Sequence, residues 1–165
     1  ADKVEGRMKP VPLRGTALAM RAPVGVIGLL CPDEAPLLGF VTVVGAAMAM
    51  GNRVVAVASE PFPLAATDFC QVLETSDVPG GVVNVLTGGH GALAPVLAAH
   101  ADVEAVWSFS SSDVSAVIER ESAGTLKRTW VNHGTSRDWF GADGARADFL
   151  EAATETKTVW VSWGA

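Results

Sequence analysis

The chain of 165 residues has the length of one domain, and with 49% apolar and 18% charged residues its main state is not disorder. Eighteen acidic against twelve basic side chains leave a net charge of −6, which, without a basic cluster, argues against nucleic acid or an anionic membrane as a partner. Two distant cysteines, Cys31 and Cys70, and three scattered histidines, His90, His100 and His133, form neither a disulfide framework nor a ligand spacing, so no metal is expected.

The first ten residues carry Asp2, Lys3, Glu5, Arg7 and Lys9, which exclude a signal-peptide core there, and a cytoplasmic protein is expected. Residues 16–21 and 24–30 read as strands broken at Pro23. The second is nearly all apolar, as in a strand covered on both faces. Residues 35–52 are uncharged, but Pro36 opens and Gly51-Asn52 closes a helix there. Its Leu37–Met50 stretch reaches about 21 Å, short of the about 30 Å of a bilayer core, so a fully enclosed helix is expected. Gly39, Gly45, Ala46 and Ala49 would let other backbone approach it closely.

A valine-rich strand at 53–58, a helix opened by Pro61 and Pro63, a turn at Pro79-Gly80-Gly81 and a strand at 82–86 follow. Gly88-Gly89-His90-Gly91 leads into a helix at 92–99. Strands at 103–109 and 128–132 then flank a helix at 112–122, for which Ser112 is the expected N-cap. The alternation predicts an α/β fold with a doubly wound, parallel, five-stranded sheet. After His133 the pattern changes: a polar loop to 145, a short helix at 146–153 and a last strand at 156–163. That strand's expected partner is the opening segment 13–21, in a small β-flap made from the two chain ends.

Doubly wound sheets hold phosphate at glycine-rich strand-to-helix junctions. The first junction, Cys31 to Pro36, has no glycine and carries Asp33 and Glu34. These would repel a pyrophosphate and are read instead as stabilising the helix N-terminus. Gly88–Gly91 reads as a plain turn or a weak phosphate cradle. Ser110-Ser111-Ser112-Asp113 reads as an N-cap cluster, with anion binding as the alternative. Cys31, at a strand end, is the sharper nucleophile candidate, but Asp33 and Glu34 would raise its pKa, so burial is the preferred reading. Among five tryptophans, Trp107 and Trp130 belong to core strands. Trp160 and Trp163 in the terminal strand read as an interface, or else as packing on loop 133–145.

Pro23-Val24-Gly25-Val26-Ile27-Gly28 resembles the strand that opens the cofactor domain of aldehyde dehydrogenases. Val54-Val55 through Ser59-Glu60, Pro79 through Val85, and Leu126-Lys127-Arg128 follow in that family's order, and Lys157 through Val161 resembles its terminal oligomerisation strand. Cys31-Pro32-Asp33-Glu34, Trp130-Val131-Asn132 and the direct passage to the end are most similar to the second, C-terminal aldehyde-dehydrogenase-like region of aldehyde dehydrogenase family 16. The resemblance implies a Rossmann-like domain at 22–134 and an oligomerisation flap of 1–21 and 155–165. It further implies a connecting loop and short helix at 135–154 in place of the catalytic domain.

The resemblance also implies three degenerate positions. Glu34 stands where active members place the asparagine that helps hold the oxyanion. Val57 replaces the lysine that contacts the adenine ribose, and Asn132 replaces the general-base glutamate. Ser59, Glu60 and Gly88 are the residual cofactor-binding candidates; Val159, Trp160, Val161 and Trp163 are the interface candidates; catalytic residues are not expected. The expected function is a non-catalytic module for structure, docking and oligomerisation within a larger NAD-dependent enzyme. It would bind no cofactor itself, and its partners would be the first domain of the same polypeptide or a second copy in a homodimer. The alternative is a residual NAD-binding or regulatory domain.

Overall fold

The computed structural model describes residues 6–11, 15–145 and 147–162. Among these residues eight strands and five α-helices appear in chain order: β1 Arg7–Lys9, β2 Thr16–Pro23, β3 Val26–Leu30, α1 Pro36–Ala49, β4 Arg53–Val57, α2 Leu64–Glu74, β5 Val83–Leu86, α3 His90–Ala99, β6 Ala105–Ser108, α4 Ser112–Ser122, β7 Arg128–Val131, α5 Asp148–Ala152 and β8 Thr154–Val161. The expected five-stranded sheet is present, wholly parallel, in the order β5-β4-β3-β6-β7.

Strand alternation divides the core in two. Ile27, Leu29, Val54, Ala56, Ala105 and Trp107 pack toward α1 and α5, whereas Leu30, Val57 and Val106 pack toward α3 and α4. Both faces are covered, which is why β3 is a nearly unbroken apolar run.

The predicted enclosure of α1 holds only for its inner stripe, Phe40, Val43, Val44 and Ala47. Leu37 is 50% and Leu38 38% exposed, because the first turn projects beyond the carboxyl ends of the strands. Pro36 starts the helix without an N–H to lose. A Cβ on Gly39 would sit 2.2 Å from the Pro32 ring, so what approaches closely there is a side-chain ring and not the expected backbone; beside Gly45 there is open space. No helix among the described residues is long and apolar enough to cross a membrane.

Two helix starts differ from expectation. α3 begins at His90, with Gly89 as its N-cap, rather than at 92. α4 is capped by Ser111 rather than Ser112: the Ser111 hydroxyl accepts from the Val114 N–H.

The second sheet is antiparallel, in the order β1-β2-β8. β2 and β8 pair along their whole lengths, from Thr16 opposite Val161 to Pro23 opposite Thr154. β1 adds an edge strand that the sequence pattern does not announce. Buried Asn52 anchors this sheet to the rest: its Oδ1 accepts from the Gly25 N–H, and its Nδ2 donates to the Ala47 and Ala153 carbonyls. The flap therefore joins the amino ends of the parallel strands.

Residues 135–145 and 147–153 form a plug on the sheet face that also carries α1. Phe149 is buried among Trp107, Phe109, Trp130 and Trp139, at ring-centroid distances of 5.2 to 6.5 Å. The Arg137 guanidinium lies 4.3 Å over the Phe149 ring, donates to the Asp143 carbonyl and pairs with Asp148 at 3.1 Å.

Candidate functional site

The strand order turns back between β3 and β6, and ligands of open parallel sheets bind at the carboxyl ends beside such a point. A cleft of about 340 Å³ lies there, lined by Asp33, Glu34, Glu60, Phe109, Ser110, Ser111, Val114, Asn132 and Gly134. Three of the positions singled out from the sequence, Glu34, Glu60 and Asn132, thus share one cleft.

Asp33 and Glu34 do not cap α1, whose N-cap is Ala35 and which has no side-chain cap. Asp33 instead accepts from the Ser59 hydroxyl at 2.7 Å and the Glu60 N–H at 3.1 Å. Glu34 reaches across to the plug: its Oε1 accepts from the Trp139 indole N–H at 2.7 Å and the Arg137 N–H at 3.0 Å. Glu60 accepts from the N–H of His90, the first residue of α3, where a carboxylate offsets the helix dipole. Gly88 precedes this turn at φ +153°, a conformation that favours glycine.

Val57 is fully buried under α3 and α4, out of reach of the cleft. The Asn132 side chain closes its own turn, accepting from the Gly134 N–H and donating to the Thr135 carbonyl. Cys31 is fully buried, and burial, reinforced by the Asp33 charge, pushes its thiol up to about 12. A thiol in that state is not a nucleophile at neutral pH.

Sequence reasoning missed His90. Its buried ring bridges the ends of β4 and β6, with Nε2 at 2.9 Å from the Ala58 carbonyl and Nδ1 at 2.9 Å from the Ser110 hydroxyl. A carbonyl only accepts, so Nε2 carries a proton and donates. It missed Arg137 and Trp139 as well, since neither forms a motif with Glu34, more than a hundred residues earlier. No group of three potential metal ligands is present among the described residues.

On the flap, Val159 and Val161 share one face with Met8, Leu18 and Met20, and Trp160 lies on the other, because neighbouring residues of a strand alternate. Trp160 is 58% exposed. β8 has no strand partner on its outer side among the described residues. Trp163 lies outside the described residues.

The Glu34 contacts make a prediction. Glu34→Ala leaves the buried Trp139 N–H without an acceptor and should cost about 1–3 kcal/mol. Glu34→Gln keeps an acceptor oxygen and should cost under about 1 kcal/mol. Urea midpoints of the two variants check this; equal midpoints would refute the assigned role.

A parallel sheet covered on both faces, with its cleft at the turning point of strand order, defines a Rossmann-like α/β domain. The aldehyde dehydrogenase family profile matches residues 1–159, and the chain belongs to that family. It is 28% identical to an aldehyde dehydrogenase of Alternaria alternata over 165 residues, 99% of this chain and 32% of that protein. It is 34% identical to aldehyde dehydrogenase 1A1 of Bos taurus over 136 residues, 81% of this chain and 27% of the relative. The crystal structure of PnpE from Pseudomonas sp. WBC-3 superposes with a TM-score of 0.75 at 32% identity, covering 79% of this chain and 27% of that one. The chain therefore spans less than a third of the length of these relatives.

Proposed function

We propose that this chain is a non-catalytic aldehyde-dehydrogenase-like module serving structure, domain docking and oligomerisation within a larger NAD-dependent aldehyde dehydrogenase, akin to the C-terminal region of family 16. The observation that carries the reading is the lining of the switch-point cleft. Asp33, Glu34 and Glu60 all border it, and each accepts hydrogen bonds from the chain's own groups. Three carboxylates fit a pyrophosphate poorly, and a developing oxyanion would meet Glu34 where its relatives need a donor. The burial of Cys31 and the closed turn at Asn132 support the same reading, since the Cys31 thiol keeps its proton at neutral pH and the Asn132 amide cannot take one.

The partner in this reading is the first domain of the same polypeptide or a second copy, engaged through the flap, whose β8 edge can accept another strand. Neither nucleic acid nor a membrane is a partner. The location is cytoplasmic; a relative 32% identical over 136 residues carries the name aldehyde dehydrogenase, cytosolic 1.

Calorimetry with millimolar NAD tests the reading against a residual nucleotide site. The expected result is no saturable heat, and no turnover of short aldehydes by the chain alone. Saturable binding that disappears in Glu60→Ala would reverse the conclusion in favour of a regulatory NAD domain.

A further inference from the structure

His90 is 1% exposed, and both of its ring nitrogens are engaged. The Ala58 carbonyl keeps the proton on Nε2, so the bare Nδ1 accepts the Ser110 O–H at 2.9 Å. A hydroxyl bonded to an imidazole whose tautomer is fixed from behind is the pairing of a nucleophile with its base.

Ser110 stands on the turn from β6 to α4, at the carboxyl end of an interior strand. It is half-buried and lines the cleft. A nucleophile on a strand-to-helix turn brings the N–H groups that follow it close to the carbonyl it attacks. Among the described residues the N–H groups of Ser111, Ser112 and Asp113 meet no acceptor. They stand at the positive end of α4 and are donors for an oxyanion. Glu34 is turned toward the plug by its bonds to Trp139 and Arg137.

The walls of the cleft select the charge of what enters. Asp33, Glu34 and Glu60 line it, and no basic side chain is among its lining residues. Glu60 accepts from the N–H of His90 itself, so its charge favours the imidazolium that forms when the ring takes a proton.

We propose that Ser110 is a nucleophile, activated by His90, that takes the acyl group of a small cationic ester. Ser110 Oγ bonds to the carbonyl carbon as its proton passes to Nδ1 of His90. The tetrahedral adduct then collapses, the bond from carbon to the alkoxy oxygen breaks, and the alcohol departs with the proton from Nδ1. An acyl-serine remains. The step is not a redox step and uses neither nicotinamide nor a thiolate. It is therefore separate from aldehyde oxidation, and it stands or falls independently of the assembly role.

The probe is p-nitrophenyl p-guanidinobenzoate, a cationic ester, with p-nitrophenyl benzoate as its neutral counterpart. Release of p-nitrophenolate by the chain is followed and corrected for the spontaneous hydrolysis of each ester, and peptide mass spectrometry locates the acyl group. The expected result is a single guanidinobenzoyl group, on Ser110, formed roughly tenfold faster than the benzoyl group, with an advantage that shrinks in added salt. Ser110→Ala should take no acyl group, and Ser112→Ala should react like the wild type. His90→Gln should acylate Ser110 about a hundredfold more slowly. Far-UV circular dichroism checks that the variants fold. Ser110→Ala removes only a half-buried hydroxyl, so it decides the question even where His90→Gln does not fold. An acyl group on Cys70 or on a lysine, with Ser110 unmodified, overturns the proposal. Acylation of folded His90→Gln at the wild-type rate overturns it as well. Equal rates for the two esters overturn the assignment of a cationic substrate.

Discussion

Replacing Phe149 by alanine is expected to lower the unfolding free energy by about 3–5 kcal/mol and the melting temperature by about 10 °C. The ring is 1% exposed and touches four other aromatic side chains as well as the Arg137 guanidinium. Removing it opens a cavity that its neighbours cannot collapse to fill, since Trp107 and Trp130 are fixed in adjacent strands, directly opposite in register. It also strips Arg137 of the surface on which it lies. The matched control is Phe140→Ala in the same plug: Phe140 is 83% exposed, and its loss should stay within about 0.5 kcal/mol. Urea and thermal melts of the two variants check the contrast. Similar midpoints would mean that the plug packs loosely on the sheet.

A second large effect is expected at alkaline pH. Buried Cys31 keeps its proton to about 12, whereas in the unfolded chain it ionises near 9.0. The folded-state value is the higher one, so this contribution to stability is complete below pH 9 and is lost as pH rises toward 12. The gap is worth about 4 kcal/mol. Lys127 acts in the opposite direction: its ammonium donates to the Leu97 and His100 carbonyls at the end of α3, and desolvation lowers its pKa, with Glu104 partly opposing that. The chain has no tyrosine, so no phenol titrates in the same range. Stability measured from pH 8 to 11 should therefore fall in the wild type and fall less in Cys31→Ala. Iodoacetamide should leave Cys31 unmodified in the native protein and modify it in urea. Rapid native labelling of Cys31 would contradict its assigned burial.

Both predictions rest on positions whose importance differed in visibility. Cys31 was legible: an apolar strand ending at a cysteine beside two carboxylates already implies an inert, buried thiol. Phe149 was not, since nothing in Asp148–Ala152 marks it as the centre of an aromatic cluster. The same holds for Glu34. Its place in the sequence shows a carboxylate just before a helix, but not its bonds to Trp139 and Arg137. Read locally, Asp33 and Glu34 belong to the helix that follows. In the fold they turn to other segments, because Pro36 opens α1 with Ala35 at its cap and both carboxylates outside it.

The sequence by itself determined the alternation of strands and helices and the parallel sheet. These follow from hydrophobic period and from turn residues, which act over a few neighbours. The folded chain alone decided that Met8, Met20 and Val161 share a face while Trp160 does not, that His90 bridges two strand ends, and that the plug is tied to Glu34. Each of these depends on register or on contacts between residues far apart in the chain. A shift of one residue in strand pairing would exchange every face, and no local pattern records which shift the packed core selects.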